Sequence, residues 1–145
     1  MLLIGLKNVT TQPLDALETI NLGTVYRKYI KKDGCGTATF TNTSDAVSLN
    51  SKGIYHVTVT VTFDATDAGV ATIQLIEDSI AIPGALAELT VVAGSTYSAV
   101  IDYYVIVSCA STLNGIGTAS KTLSVQNTGV AIEVSNIVTN ITKEV

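Results

Sequence analysis

Residues 53–64, Gly-Ile-Tyr-His-Val-Thr-Val-Thr-Val-Thr-Phe-Asp, alternate without a break. Tyr55, Val57, Val59, Val61 and Phe63 fall on one side of an extended chain; His56, Thr58, Thr60, Thr62 and Asp64 fall on the other. A strand turns successive side chains to opposite faces, so this period of two predicts a long strand with one buried face. β-Branched Val and Thr fit a pleated surface and lose rotamer freedom in a helix. The second long strand is 96–108. Tyr97, Ala99, Ile101, Tyr103, Val105 and Val107 share one face, and Val100, Tyr104 and Ile106 the other. A strand apolar on both faces is covered on both sides, by a second layer or a neighbouring subunit.

Shorter segments repeat the pattern between turn residues. Strands are predicted at 35–43 around Phe40, 46–49, 70–77, 80–82, 85–92, 121–127 and 130–141, with Gly-, Asn-, Asp- or Ser-containing turns between most of them. Glu77-Asp78-Ser79 predicts a tight turn, and Pro83-Gly84 ends the short strand before it. Residues 1–12 read as an arm or edge strand. Pro13 to Glu18 predicts one helical turn capped by Thr11, too short to stand alone. Ile20 to Ile30 predicts a strand with a basic flank, closed by the turn Lys32-Asp33-Gly34. Such spacing specifies an all-β sandwich or barrel.

Three stretches resemble the trimeric jelly-roll heads of tumour necrosis factor (TNF) and the complement C1q globular domain. The likeness is closer to bacterial and phage versions, such as spore-surface collagen-like glycoprotein heads. Gly53-Ile54-Tyr55-His56-Val57-Thr58-Val59 running into Val61-Thr62-Phe63 is similar to their Gly-x-Tyr-x-Val…Phe core strand. Residues 73–85, Ile-Gln-Leu-Ile-Glu-Asp-Ser-Ile-Ala-Ile-Pro-Gly-Ala, resemble their Leu-x-x-Asn-Gly-x-x-Ile-Pro-Gly hairpin, with Asp78-Ser79 in place of Asn-Gly. Leu123-Ser124-Val125-Gln126-Asn127 leading to Ile132 resembles their penultimate strand. The likeness covers roughly residues 35–145, and the sequence carries no collagen-like Gly-x-y stalk. It implies an all-β antiparallel jelly-roll sandwich that forms a homotrimer, with a trimerisation domain at 34–145 and an N-terminal arm at 1–33.

Composition adds to this. The chain has 145 residues, enough for one domain with a sizeable core. Hydrophobic residues make up 47% and charged residues 14%, against about 25% charged in an ordinary globular domain. A monomer would have little charge to cover its surface, which points to burial between subunits. The charge is also unevenly placed. Residues 1–32 hold five Lys or Arg against two acids, net +3; residues 33–145 hold three against ten, net −7. Different partners are expected for the two parts. The acidic body argues against nucleic acid. No apolar run approaches the ~20 residues of a membrane helix, and the first six residues lack the basic flank and length of a leader. The expected site of synthesis is the cytoplasm.

Candidate chemistry is sparse. His56 is the lone histidine and lies mid-strand, so no nucleophile–base pair is legible, and no enzyme activity is expected. Cys35, Cys109 and His56 lack the short spacings of a zinc site. The two cysteines are expected to stay unbridged. Asp64 with Asp67, and Glu77 with Asp78, are loop acids that calcium would need in greater number. No glycine-rich loop precedes a helix, and no cofactor is expected. Asn8-Val9-Thr10, Asn42-Thr43-Ser44 and Asn140-Ile141-Thr142 match the glycosylation acceptor pattern, a frequent chance match in a Thr-rich chain.

The basic, tyrosine-bearing run Arg27-Lys28-Tyr29-Ile30-Lys31-Lys32 has the residue types that interfaces favour. With the resemblance, it supports a phage virion structural protein: a trimer decorating the capsid exterior and bound to the major capsid protein. Attachment is expected through Leu14, Leu17, Tyr26, Arg27, Lys28, Tyr29, Lys31 and Lys32. The trimer interface is expected at Tyr55, Val57, Tyr97, Tyr103 and Tyr104. The alternative is a receptor-binding fibre tip recognising host-surface carbohydrate. That role calls for aromatic faces on loops, whereas the tyrosines here fall in predicted strands or the arm.

Overall fold

The computed structural model describes residues 2–30, 40–108 and 120–144. Every regular element among them is a strand: β1 (Leu2–Asn8), β2 (Gln12–Leu14), β3 (Thr24–Ile30), β4 (Phe40–Asn42), β5 (Val47–Leu49), β6 (Gly53–Ala65), β7 (Gly69–Glu77), β8 (Ile80–Val91), β9 (Thr96–Val107), β10 (Lys121–Asn127) and β11 (Ile132–Lys143). The large sheet runs β3-β1-β11-β6-β9, with β2 also on β11; the second sheet runs β4-β5-β10-β7-β8. All pairings are antiparallel. From β5 onward the chain crosses repeatedly between the sheets, which is jelly-roll connectivity.

The alternation in β6 does what its sequence dictates. Tyr55, Val57, Val59, Val61 and Phe63 are buried between the sheets, and the His/Thr side is half-covered. On β9, Ala99, Ile101, Val105 and Val107 are buried while Val100, Tyr104 and Ile106 are exposed. The second sheet contributes Val47, Leu49, Ala71, Ile73, Leu75, Ala85, Val91, Leu123 and Val125 to the same core.

The division into an arm and a body does not describe this fold. Strand β1 lies inside the large sheet, hydrogen-bonded to β11 on one side and β3 on the other. Leu2, Ile4, Leu6, Leu14, Ile20 and Leu22 belong to the common core. At roughly 1.5–3 kcal/mol for each fully buried aliphatic side chain, these six contribute on the order of 10 kcal/mol, as much as a typical domain's whole net stability of about 5–15 kcal/mol. The charge asymmetry misled because Lys7, Arg27 and Lys28 are exposed side chains of strands that also supply core residues.

The helical turn expected at 13–18 is absent. Pro13 sits in β2, and the next residues give their backbone groups to β10: Leu17 N–H to Asn127 O (2.6 Å), Asn127 N–H to Glu18 O (3.0 Å) and Ile20 N–H to Val125 O (2.8 Å). The Asn127 side chain, wholly buried, donates to Asp15 O (3.2 Å) and Val130 O (3.0 Å). The segment thus crosses from one sheet to the other. The strand expected from Ile20 starts instead at Thr24. Gly23, at φ +81°, turns the chain so tightly on Lys7 that a Cβ would lie 2.1 Å from its carbonyl oxygen.

Residues 80–82 and 85–92 form one strand, β8, rather than two. Pro83 costs no ladder bond because it lies in the register break of β8, where residues 82–85 have no ladder partner on β7. The irregularity is absorbed opposite, between Gln74 and Ile76, where the buried Gln74 amide donates to Leu75 O (2.8 Å), Ile82 O (2.9 Å) and Ala85 O (3.1 Å). At the tight turn, Asp78 and Ser79 take φ of 50° and 67°, the left-handed region that favours Asn-Gly. Asp78 offsets this strain: its carboxylate accepts Thr122 N–H (2.9 Å) and pairs with Lys121 (3.4 Å), which also holds Glu77 (2.9 Å).

Candidate functional site

The expected interface tyrosines fall on different sides of the large sheet. Tyr55 is 0% exposed, and its hydroxyl donates to Ser51 O at 2.7 Å. Burial pushes its phenol above the ordinary 10.0, against the opposing pull of the Ser51 contacts. Val57 is buried beside it. Both face the protomer's own core, so neither offers a surface to a second copy. Tyr97 and Tyr103 are half-buried against the core. Tyr97 stacks on Phe63 (5.9 Å between centroids) and accepts Val92 N–H (2.9 Å), pinning the β8–β9 turn. Tyr104 alone of the five projects outward, 56% exposed and stacked on His56 at 4.7 Å.

The expected attachment residues are also divided. Leu14 is buried and is withdrawn from any surface role. Leu17 is exposed at φ 70° in the crossing segment. Tyr26, Arg27, Lys28 and Tyr29 lie exposed on β3, while Lys31 and Lys32, like Cys35 and Cys109, lie outside the described residues. Tyr26 is the extra residue of a bulge: Gly5 pairs with Arg27 and Leu6 with Val25. Its ring folds over Gly5, where a Cβ would come within 2.8 Å of it, and its hydroxyl donates to Asn140 Oδ1 (3.0 Å). Lys7 and Arg27 both lie over that ring, at 5.5 and 5.7 Å. Lys28 points the other way, over Phe40 at 5.3 Å.

These placements define one candidate surface, the outward face of the large sheet. Strand pairing arranges its side chains in level rows. One row reads Tyr29, Leu3, Thr142, His56, Tyr104 from β3 to β9; the next reads Arg27, Gly5, Asn140, Thr58, Asp102; the third reads Thr24, Lys7, Val138, Thr60, Val100. The central strands carry mainly Thr, Asn and Val. The β9 edge carries exposed Val100, Tyr104 and Ile106, next to Ile54 of β6. Exposed apolar residues lined up on an edge strand are a template for association.

His56 bonds Asp102 through Nε2 as well as stacking on Tyr104. Asp64 accepts the Thr96 hydroxyl at 2.5 Å. Among the described residues no three His, Cys, Asp or Glu side chains converge as metal ligands, and no helix is long and apolar enough to cross a membrane. Asn8, first of the glycosylation-like triplets, donates its amide to Asn21 O (3.1 Å) and accepts Thr10 N–H (2.9 Å), so its side chain is used structurally. Sequence reasoning missed Asp102 and the Lys7–Tyr26–Arg27 group. Asp102 was legible only as a charge in an apolar strand; the group depends on a bulge that no sequence signal marks.

No family model and no curated relative matches this sequence. Solved structures match the fold. Murine APRIL superposes with a TM-score of 0.67 at 9% identity, covering 97% of each chain. The globular domain of zebrafish complement 1qA protein gives 0.65 at 6% identity, over 99% of this chain and 97% of that one. Vertex protein P5 of PRD1 gives 0.54 at 16% identity, over 97% of this chain and 93% of that one. The protein is therefore an all-β TNF/C1q-like jelly roll, and the likeness extends over nearly the whole chain rather than the expected head alone.

Proposed function

We propose that this protein is a structural protein of a phage virion, a homotrimer that decorates the capsid exterior and binds the major capsid protein. The observation that carries the reading is the exposed apolar strip Val100, Tyr104 and Ile106 on an edge strand, interrupted on that face only by Asp102. A surface of this kind is stable in water when a second copy covers it. The likeness to a phage vertex protein over nearly the whole chain supports the virion setting, and the likeness to the TNF and C1q heads supports three copies. Attachment falls to an outer surface of the folded head, since the N-terminal residues are occupied in the core. Of the expected contacts, Leu17 remains exposed in the crossing segment, and Lys28 is exposed and turned away from the large sheet's outward face. The role is non-catalytic.

Sedimentation equilibrium at micromolar protein is expected to give three times the chain mass, and antibodies to the purified protein are expected to label the outside of intact virions. A monomer mass removes the trimer. Particles unlabelled unless opened remove the decoration.

A further inference from the structure

The large sheet's outward face carries opposite charges at the two ends of one row. Arg27 begins the row on β3 and Asp102 ends it on β9, with only Gly5, Asn140 and Thr58 between. Four interstrand spacings separate them, about 19 Å, so they cannot meet within one protomer. Each end is nevertheless held ready. On the basic side the Tyr26 ring supports both Arg27 and Lys7, and Arg27 reaches Asn140 Oδ1 at 3.5 Å. On the acidic side Asp102 bonds His56 and keeps its side chain 63% exposed.

We propose that copies of this chain join head to tail, the β9 strip of one against the β3–β1 strip of the next, with Asp102 meeting Arg27. The inference rests on the oligomer reading above and deepens it by naming the contact. A two-fold contact of β9 strip on β9 strip would gather carboxylates, which costs free energy across an interface. A head-to-tail contact joins unlike ends and, repeated, closes into a ring. Rotation about an axis parallel to the strands keeps every row at its own height. The row with Arg27 at one end therefore meets a row with Asp102 at the other, and Tyr29 meets Tyr104 one level away.

The test is charge reversal in the full chain, read by sedimentation equilibrium at 0.15 M salt, with thermal melting to verify folding. Arg27→Glu and Asp102→Arg should each weaken assembly about tenfold or more, as truncated charge pairs at interfaces do. The double variant, which restores opposite charges in every contact, should recover most of that loss. The neutral variants Arg27→Gln and Asp102→Asn should fall between wild type and the reversals. A wild-type oligomer indifferent to both reversals, or a double variant no better than the singles, overturns this contact and leaves the oligomer standing. A wild-type monomer overturns both.

Discussion

Strands β6 and β9 pair along twelve consecutive levels and have closely similar inward faces, yet their outward faces differ. Outward, β6 shows His56, Thr58, Thr60, Thr62 and Asp64, all half-covered; β9 shows Ser98, Val100, Asp102, Tyr104 and Ile106, all exposed. The inward similarity follows from the shared core. The outward difference follows from position: β6 has a partner on each side and β9 has one. Threonine suits the crowded interior of a sheet face. Exposed Val, Tyr and Ile on an edge make sense if another molecule covers them. The inward face of the large sheet therefore serves folding, and the outward face is the one that the proposed assembly would cover.

The largest test of that division removes β1. Deleting residues 2–8 takes away Leu2, Ile4 and Leu6 together with the ladders to β3 and β11. At roughly 1.5–3 kcal/mol per side chain the chain should fail to fold, seen as loss of a cooperative thermal transition. A folded, merely unattached protein would restore the separate arm.

Next comes a pair of substitutions on opposite faces. Phe63→Ala, inward, should cost about 3–5 kcal/mol of unfolding free energy, measured by urea titration. Ile106→Ser, at 63% exposure, should leave monomer stability within about 0.5 kcal/mol and lower the assembly constant. If both act on stability alone, the two faces do not have separate duties.

Two inward hydroxyls sharpen the comparison further. The Tyr55 hydroxyl has a partner in Ser51, so Tyr55→Phe should cost about 1 kcal/mol at neutral pH. Its phenol is raised above 10.0, mainly by burial, so the unfolded chain loses that proton first as pH rises. Its contribution to stability must then fall as pH rises above 10.0, and Tyr55→Phe should narrow its deficit from wild type there. Denaturant midpoints at pH 8 and above pH 10 would check the sign. The smallest effect has the opposite direction. Thr139 lies inward between Leu6 and Val59, 3% exposed, and its Oγ1 has no hydrogen-bond partner. Thr139→Val should raise stability by about 1 kcal/mol, read as a higher melting temperature.

Much of the second half was legible because period two reports burial directly. The inward sets of β6 and β9, and the strands β7, β10 and β11, stand close to where alternation predicts them. In residues 2–30 the strand ending at Ile30 was legible, but the place of the segment in the core was not. Leu2, Ile4 and Leu6 alternate, but Gly5 and Asn8 gave the segment the look of an arm or edge strand. Its place beside β11 depends on a pairing some 135 residues distant in sequence. Tyr55 and Tyr104 were grouped as interface residues because both are large and aromatic, although their strand parity already set them on opposite faces once the strands paired.

The sequence alone determined that the chain is all-β, which residues of β6 turn inward, where Asp78-Ser79 reverses the chain, and that charge is scarce. These are local properties, carried by side-chain alternation, turn residues and composition. The tertiary structure decided that the N-terminal segment is core, that Tyr26 shelters Gly5 beside Lys7, and that Arg27 and Asp102 terminate one row. Each of those depends on register between distant strands. A shift of one residue would send every side chain of a strand to the other face, and register is fixed only when the two sheets close on a common core.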